Sequence, residues 1–141
     1  MIKKNLLLIS ILILSACYST KHATQNDYIL KNNTINIINY DKTHIKNITK
    51  KDIKTIIKQN PNKKIIGLIP FHLWIYNLSN PTKNNWINTY LRKIGEPPVI
   101  FQNQLLDKSI NQIKSHLENN GYFTASINTD IKYKGHNASV S

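Results

Sequence analysis

The stretch NQLLDKSINQIKSHLENNGYFTASINTDIKY, residues 103–133, carries two periodicities in succession, and the fold class turns on where one gives way to the other. Leu106, Ile110, Ile113 and Leu117 recur at i, i+4, i+7 and i+11, which places them on one stripe of a helix. Gly121 stands where such a helix closes on a left-handed residue. From Phe123 the period falls to two: Phe123, Ala125, Ile127, Thr129, Ile131 and Tyr133 alternate with polar neighbours, so a strand is predicted. Lys134-Gly135-His136-Asn137 can turn the chain, and Ala138-Ser139-Val140-Ser141 opens another strand. Ile110, Ile113 and Leu117 are expected to be buried against the resulting sheet.

Upstream, β-branched residues dominate TINIIN, and Asn33 to Asn39 read as a first strand. After a polar turn, Thr49 is an N-cap with Asp52 in the capping-box position, and Ile48 and Ile53 are spaced as a hydrophobic staple. Ile53, Ile56 and Ile57 give this helix its apolar stripe, and Asn60-Pro61 stops it. The order is β-α-(insert)-α-β-β. That is an α+β arrangement with two helices over one face of a small sheet.

The insert, about residues 61–102, is unusual. Ile65 to Leu78 is mostly apolar and carries Phe71, Trp74 and Tyr76, yet it is too short to span a bilayer and Gly67, Pro70 and His72 interrupt it. Two readings stand: a helical segment packed on this or a neighbouring domain, or an interfacial segment with its aromatics at headgroup depth. Trp86, Tyr90, Leu91 and Ile94 suit one face of a short helix closed by Gly95, and the Glu96-Pro97-Pro98-Val99 run must be extended. Glu96 is expected to cap or to pair with a neighbour such as Arg92 or Lys93.

The amino terminus has a different grammar. Lys3 and Lys4 precede an apolar run from Leu6 to Leu14, and Ser15 and Ala16 are small residues at a cleavage position, so residues 1–16 read as an export signal. Leu14-Ser15-Ala16-Cys17 resembles the bacterial lipobox, which makes Cys17, the chain's one cysteine, the lipidation site and first mature residue. An incidental cysteine in an ordinary signal is the alternative. Residues 17–27 are polar and aperiodic, a tether to a domain spanning 28–141.

Composition bounds the chemistry. The 141 residues are 40% apolar and 9% aromatic, enough for one modest core. Lys and Arg number 19 against 7 Asp and Glu, but Arg92 is the lone arginine, and the recurring Asn, Ile and Lys fit an AT-rich genome. With no zinc-finger, RNP-like or basic-helix pattern, no nucleic-acid partner is expected. The carboxylates are scattered, the histidines are not paired at metal-ligand spacing, and no Gly-rich phosphate loop exists. No catalytic residue, metal site or cofactor is expected.

The lipobox together with PNKKIIGLIPFHLWIYNL (61–78), WINTYLRKIGEPPVIF (86–101) and HLENNGYFTASI (116–127) resembles the N-terminal region of BamA/TamA-type outer-membrane assembly proteins of the Bacteroidetes kind. The resemblance implies a POTRA domain, β-α-α-β-β, in a lipid-anchored periplasmic module of an outer-membrane assembly or translocation factor. It implies a third strand lying between the other two, here shortened to Ala138–Ser141. It also implies non-covalent work: unfolded β-barrel clients or assembly-complex subunits add as a strand to an exposed sheet edge. Tyr122, Phe123, Ala125, Ile127 and Thr129 are the candidate edge, with a purely core-forming strand as the other reading. The competing function is a stand-alone structural envelope lipoprotein that binds peptidoglycan or lipid through its basic surface.

Overall fold

The computed structural model describes residues 27–38, 48–67 and 69–141. The export signal, Cys17, nearly all of the tether and the end of the expected first strand at Asn39 lie outside them.

The elements run β1 (Ile29–Asn33), α1 (Lys50–Ile56), α2 (Phe71–Leu78), α3 (Trp86–Ile94), α4 (Asn103–Asn119), β2 (Ile131–Lys134) and β3 (Asn137–Val140). The sheet has the order β1-β3-β2, with β1 parallel and β2 antiparallel to the central β3. This is the α+β, POTRA-like architecture, with the last strand in the middle. A two-residue turn at Gly135 and His136 joins β2 to β3. Gly135 takes a φ of 56°, which puts the left-handed residue first in the hairpin loop.

Both outer strands differ from their sequence reading. β1 occupies Ile29–Asn33 rather than Asn33–Asn39, and β2 begins only at Ile131 rather than at Phe123. The reason is the partner. A strand exists where a neighbour supplies ladder bonds, and β3 reaches Asn33 and Ile131 only at Val140. Just beyond, the Thr34 N–H donates to the Val140 carbonyl at 2.8 Å, and Asp130 and Ser141 exchange bonds of 2.8 and 2.9 Å.

The helix termini follow the sequence. The Thr49 hydroxyl accepts from the Asp52 N–H (3.2 Å), and the Asp52 carboxylate accepts from the Thr49 N–H (2.8 Å) and hydroxyl (2.7 Å). Ile48 and Ile53 are buried as the staple requires. The helix gives way at Ile57, before Asn60-Pro61. At the far end of α4, Gly121 has a φ of 88°, its N–H donates to the Glu118 carbonyl (2.9 Å), and the Tyr122 N–H donates to the Leu117 carbonyl (2.9 Å). That pair of bonds is a Schellman closure.

The capping box has a pH signature. The Thr49 hydroxyl, then the Thr49 N–H, hold the Asp52 carboxyl below its ordinary value. A group with a depressed folded pKa adds stability above its unfolded pKa and loses it as pH falls through the folded one. Acid should therefore weaken α1, and Asp52→Asn should flatten the acid limb of a stability-against-pH curve while lowering the neutral plateau. Parallel curves for the two proteins would show that Asp52 contributes nothing through its charge.

Segment 97–101 is extended, as the prolines require, and runs antiparallel beside β1. The Leu30 N–H donates to the Val99 carbonyl (2.8 Å) and the Phe101 N–H to the Tyr28 carbonyl (2.7 Å). Two amide side chains hold this strap. Asn62, buried, donates from Nδ2 to the Pro97 carbonyl (2.8 Å) and accepts the Val99 N–H at Oδ1 (3.1 Å). Gln59 accepts the Gln102 N–H at Oε1 (3.1 Å) and donates to the Ile100 carbonyl. Among the described residues the buried apolar side chains are Ile29, Leu30 and Ala138 from the sheet, Ile48 and Ile53 at α1, and Leu73 in the insert.

Candidate functional site

Above the point where the sheet stops, its two flanks continue with no strand between them among the described residues. Residues 34–38 continue from β1, residues 122–130 lead into β2, and the space they border is a groove of about 900 Å³. Its floor is the apolar side of α1 and α4, with Ile53, Leu106, Ile110, Ile113 and Leu117 among the lining residues. The stripe on α4 is therefore only half-buried, contrary to the expectation that it lies against the sheet. The buried residue of that helix is Ser109, whose hydroxyl accepts the Lys58 N–H (3.0 Å) and donates to the Leu105 carbonyl (2.6 Å), tying α4 to the exit of α1.

The rims carry open backbone positions. Among the described residues, the N–H and C=O groups of Ile35–Ile38 and Ser126–Thr129 make no hydrogen bond. The antiparallel alternation that closes on the Asp130–Ser141 pair would next present Asn128, and the parallel ladder that ends at Thr34 would next present Asn36. A strand entering in line with β3 would thus meet bonding groups on both sides and apolar side chains below. Of the residues read as an edge strand, Tyr122 and Ala125 sit in the turn after α4, where the Ala125 N–H donates to the Tyr122 carbonyl (3.3 Å). Phe123 is exposed, and Ile127 and Thr129 lie on the groove rim. None of the five is in the sheet.

The sheet's aromatic residues gather elsewhere. Tyr28 and Tyr133 have ring centroids 4.4 Å apart, and Phe101 meets Tyr133 edge-on at 6.4 Å. These contacts brace the strap against the hairpin.

The insert is a helical hairpin. Leu73 is 1% exposed between α2 and α3, and a β-carbon on Gly95 would stand 2.5 Å from the Tyr76 backbone nitrogen. Gly95 has an ordinary φ of −72°, so its role is close approach of the chains and not a left-handed closure. Glu96 takes the Lys63 N–H (3.2 Å) and its own N–H donates to the His72 carbonyl (3.0 Å). It pairs with neither Arg92 nor Lys93. Arg92 instead donates to the Asn80 (2.8 Å) and Lys83 (3.2 Å) carbonyls and to Asn84 Oδ1 (3.0 Å), because the loop before α3 offers uncapped oxygens within its reach. Of the apolar face read on α3, Trp86, Tyr90 and Ile94 are exposed and Leu91 is half-buried. The inward residue is Asn88, which accepts the Asn80 N–H at 2.6 Å. Phe71 and Trp74 are exposed with stacked rings 5.9 Å apart, and Tyr76 is half-buried.

The POTRA family model, described as surface antigen variable number repeat, matches residues 33–141, and the β1-β3-β2 order under paired helices is consistent with it. The chain belongs to the POTRA family. No curated protein and no solved structure matches it significantly. POTRA domains are protein-interaction modules of outer-membrane protein assembly and secretion families, which gives this one a bacterial periplasmic, outer-membrane-associated context. Among the described residues, no cluster of His, Cys, Asp and Glu could hold a metal ion, and no helix is long and apolar enough to cross a membrane.

What sequence reasoning missed in this POTRA domain is polar. Gln59, Asn62 and Asn88 have no periodic signature. The signal that could have found the first two is their position on either side of Pro61, facing a proline pair whose nitrogens cannot donate.

Proposed function

We propose that this POTRA domain is the lipid-anchored periplasmic module of a BamA/TamA-type assembly or translocation factor, and that it takes an extended segment of a β-barrel client or assembly partner into the groove between residues 34–38 and 122–130. The observation that supports it is the pairing of an apolar floor with two rims of open backbone groups in line with β3. Main-chain bonding gives such a site tolerance for sequence, while the floor selects apolar side chains at alternate positions. The free edge of β2 is a weaker docking place. It is only four residues long and carries Lys132 and Lys134, features that discourage edge pairing.

Two measurements test the reading. A peptide of about seven residues with valine at alternate positions should bind and protect the amides of Asn36 and Asn128 from hydrogen exchange. Ile113→Lys, which puts an ammonium on the floor, should weaken that binding at least ~10-fold, since excluding one large apolar side chain is worth about 1.5–3 kcal/mol. Binding that ignores Ile113→Lys, or protection elsewhere, removes the groove from the mechanism. For the anchor, Cys17→Ala should let a high-salt wash move the protein out of the membrane fraction. Retention that survives a high-salt wash would sink the lipoprotein assignment.

A further inference from the structure

The insert holds a feature that strand capture does not use. Ile65 and Ile69 close a tight turn through reciprocal N–H to C=O bonds of 2.8 and 3.3 Å, and at its tip Ile66 is 91% exposed with a φ of 54°. A β-branched residue in the left-handed region is a backbone outlier, and nothing packs on this one to compensate. Asparagine or glycine would fit the conformation without strain. Isoleucine there is an apolar side chain held out into solvent.

Its surroundings match it. Ile69, Phe71 and Trp74 are exposed at the end of the turn and after it, Lys63 is exposed and Lys64 half-buried directly before it, and Trp86 is 78% exposed on the second helix. From Pro61 to Gly95 the chain carries Lys63, Lys64, Lys83, Arg92 and Lys93 and not one Asp or Glu. The next carboxylate in the sequence, Glu96, accepts the Lys63 backbone N–H and keeps its charge, and among the described residues neither Lys63 nor Lys64 forms an ion pair. An apolar tip, exposed aromatics and an excess of cations together are the chemistry of a segment lying in the headgroup region of an anionic bilayer.

We infer that the Ile65–Ile69 turn and the exposed face of α2 form a second membrane contact, docking the insert on an anionic lipid surface with Ile66 in the acyl boundary and Lys63 and Lys64 at the headgroups. Each further cation would add attraction that salt screens. The inference rests on the proposed envelope location but not on the groove or on lipidation of Cys17. Its effect would be to fix the orientation of the groove relative to the membrane.

The chain's two tryptophans, Trp74 and Trp86, both lie in this hairpin, so their fluorescence reports it without a label and whatever holds the amino terminus. In the full chain reconstituted into phosphatidylglycerol-containing vesicles, emission should shift to the blue and be quenched by bromine carried near the lipid headgroup. Both effects should weaken in pure phosphatidylcholine and at high salt. Ile66→Asn, which suits the left-handed backbone, should keep the fold and lower the ratio of embedded to free hairpin roughly tenfold, the scale of withholding one isoleucine from an apolar phase. Unchanged emission in vesicles overturns the inference, as does quenching indifferent to both Ile66→Asn and headgroup charge. So does burial of the tryptophans in lipid-free protein that sediments as a dimer, because a second copy would then be the occupant. Peptide binding at Asn36 and Asn128 is unaffected by any of these results.

Discussion

A strand of alternating valine and threonine, about seven residues long and joined directly after Ser141, should raise the unfolding midpoint by roughly 10–20 °C. The gain is expected because the tethered strand enters the groove with no cost of association, meets bonding groups at Asn36 and Asn128, and covers Ile110, Ile113 and Leu117. Ladder bonds contribute about 0.5–1.5 kcal/mol each and buried valines about 1.5–3, while ordering each residue costs about 1–2, so a net of about 3 kcal/mol is the scale. In a domain of this size each kcal/mol moves the midpoint by several degrees. The same tail with proline at every second position loses the amide donors and should give almost nothing. Equal melts for the two tails would mean that the groove is not a strand site. A client peptide should bind the parent chain and be excluded from the extended one, because tail and peptide compete for one slot.

The second large effect is in the insert. Leu73→Ala should cost about 2–5 kcal/mol, the range for deleting a fully buried leucine and leaving its cavity. Leu73 is 1% exposed, and the helix that carries it packs on α3. The loss should also appear as a fluorescence change at Trp74, the next residue of the chain. Ile113→Ala, by contrast, should cost less than this range, because the groove already leaves Ile113 half-open. If the two substitutions cost the same, α4 is covered in solution by something that closes the groove. Both variants are read by denaturant unfolding with a check that the slope is unchanged, so that a shift in midpoint is a shift in stability.

The sequence by itself determined what depends on neighbours along the chain. The capping box of Thr49 and Asp52, the Ile48–Ile53 staple, the Schellman closure at Gly121, the Gly135 turn and the extended Pro97-Pro98 strap are all local, made by residues within a few positions of one another. So is the helical stripe of α4, since 3.6-residue spacing needs no partner to define a face. The family was legible in the motifs of residues 61–78, 86–101 and 116–127, whose resemblance implied the POTRA order that the local elements follow. What only the tertiary structure decided is everything that needs a partner distant in sequence. Alternation marked strands at 33–39 and 123–133, but strands are made by pairing, and the ladder stops where β3 meets Asn33 and Ile131. An apolar stripe says that a face is sticky without saying what covers it. On α4 it became the floor of a groove, and on α2 and α3 it became an exposed aromatic surface, while Ser109 and Asn88 took the inward positions. Glycine at position 95 looked like a helix stop by its place in the chain, and only the backbone of Tyr76 crossing over it shows that the missing side chain is what matters.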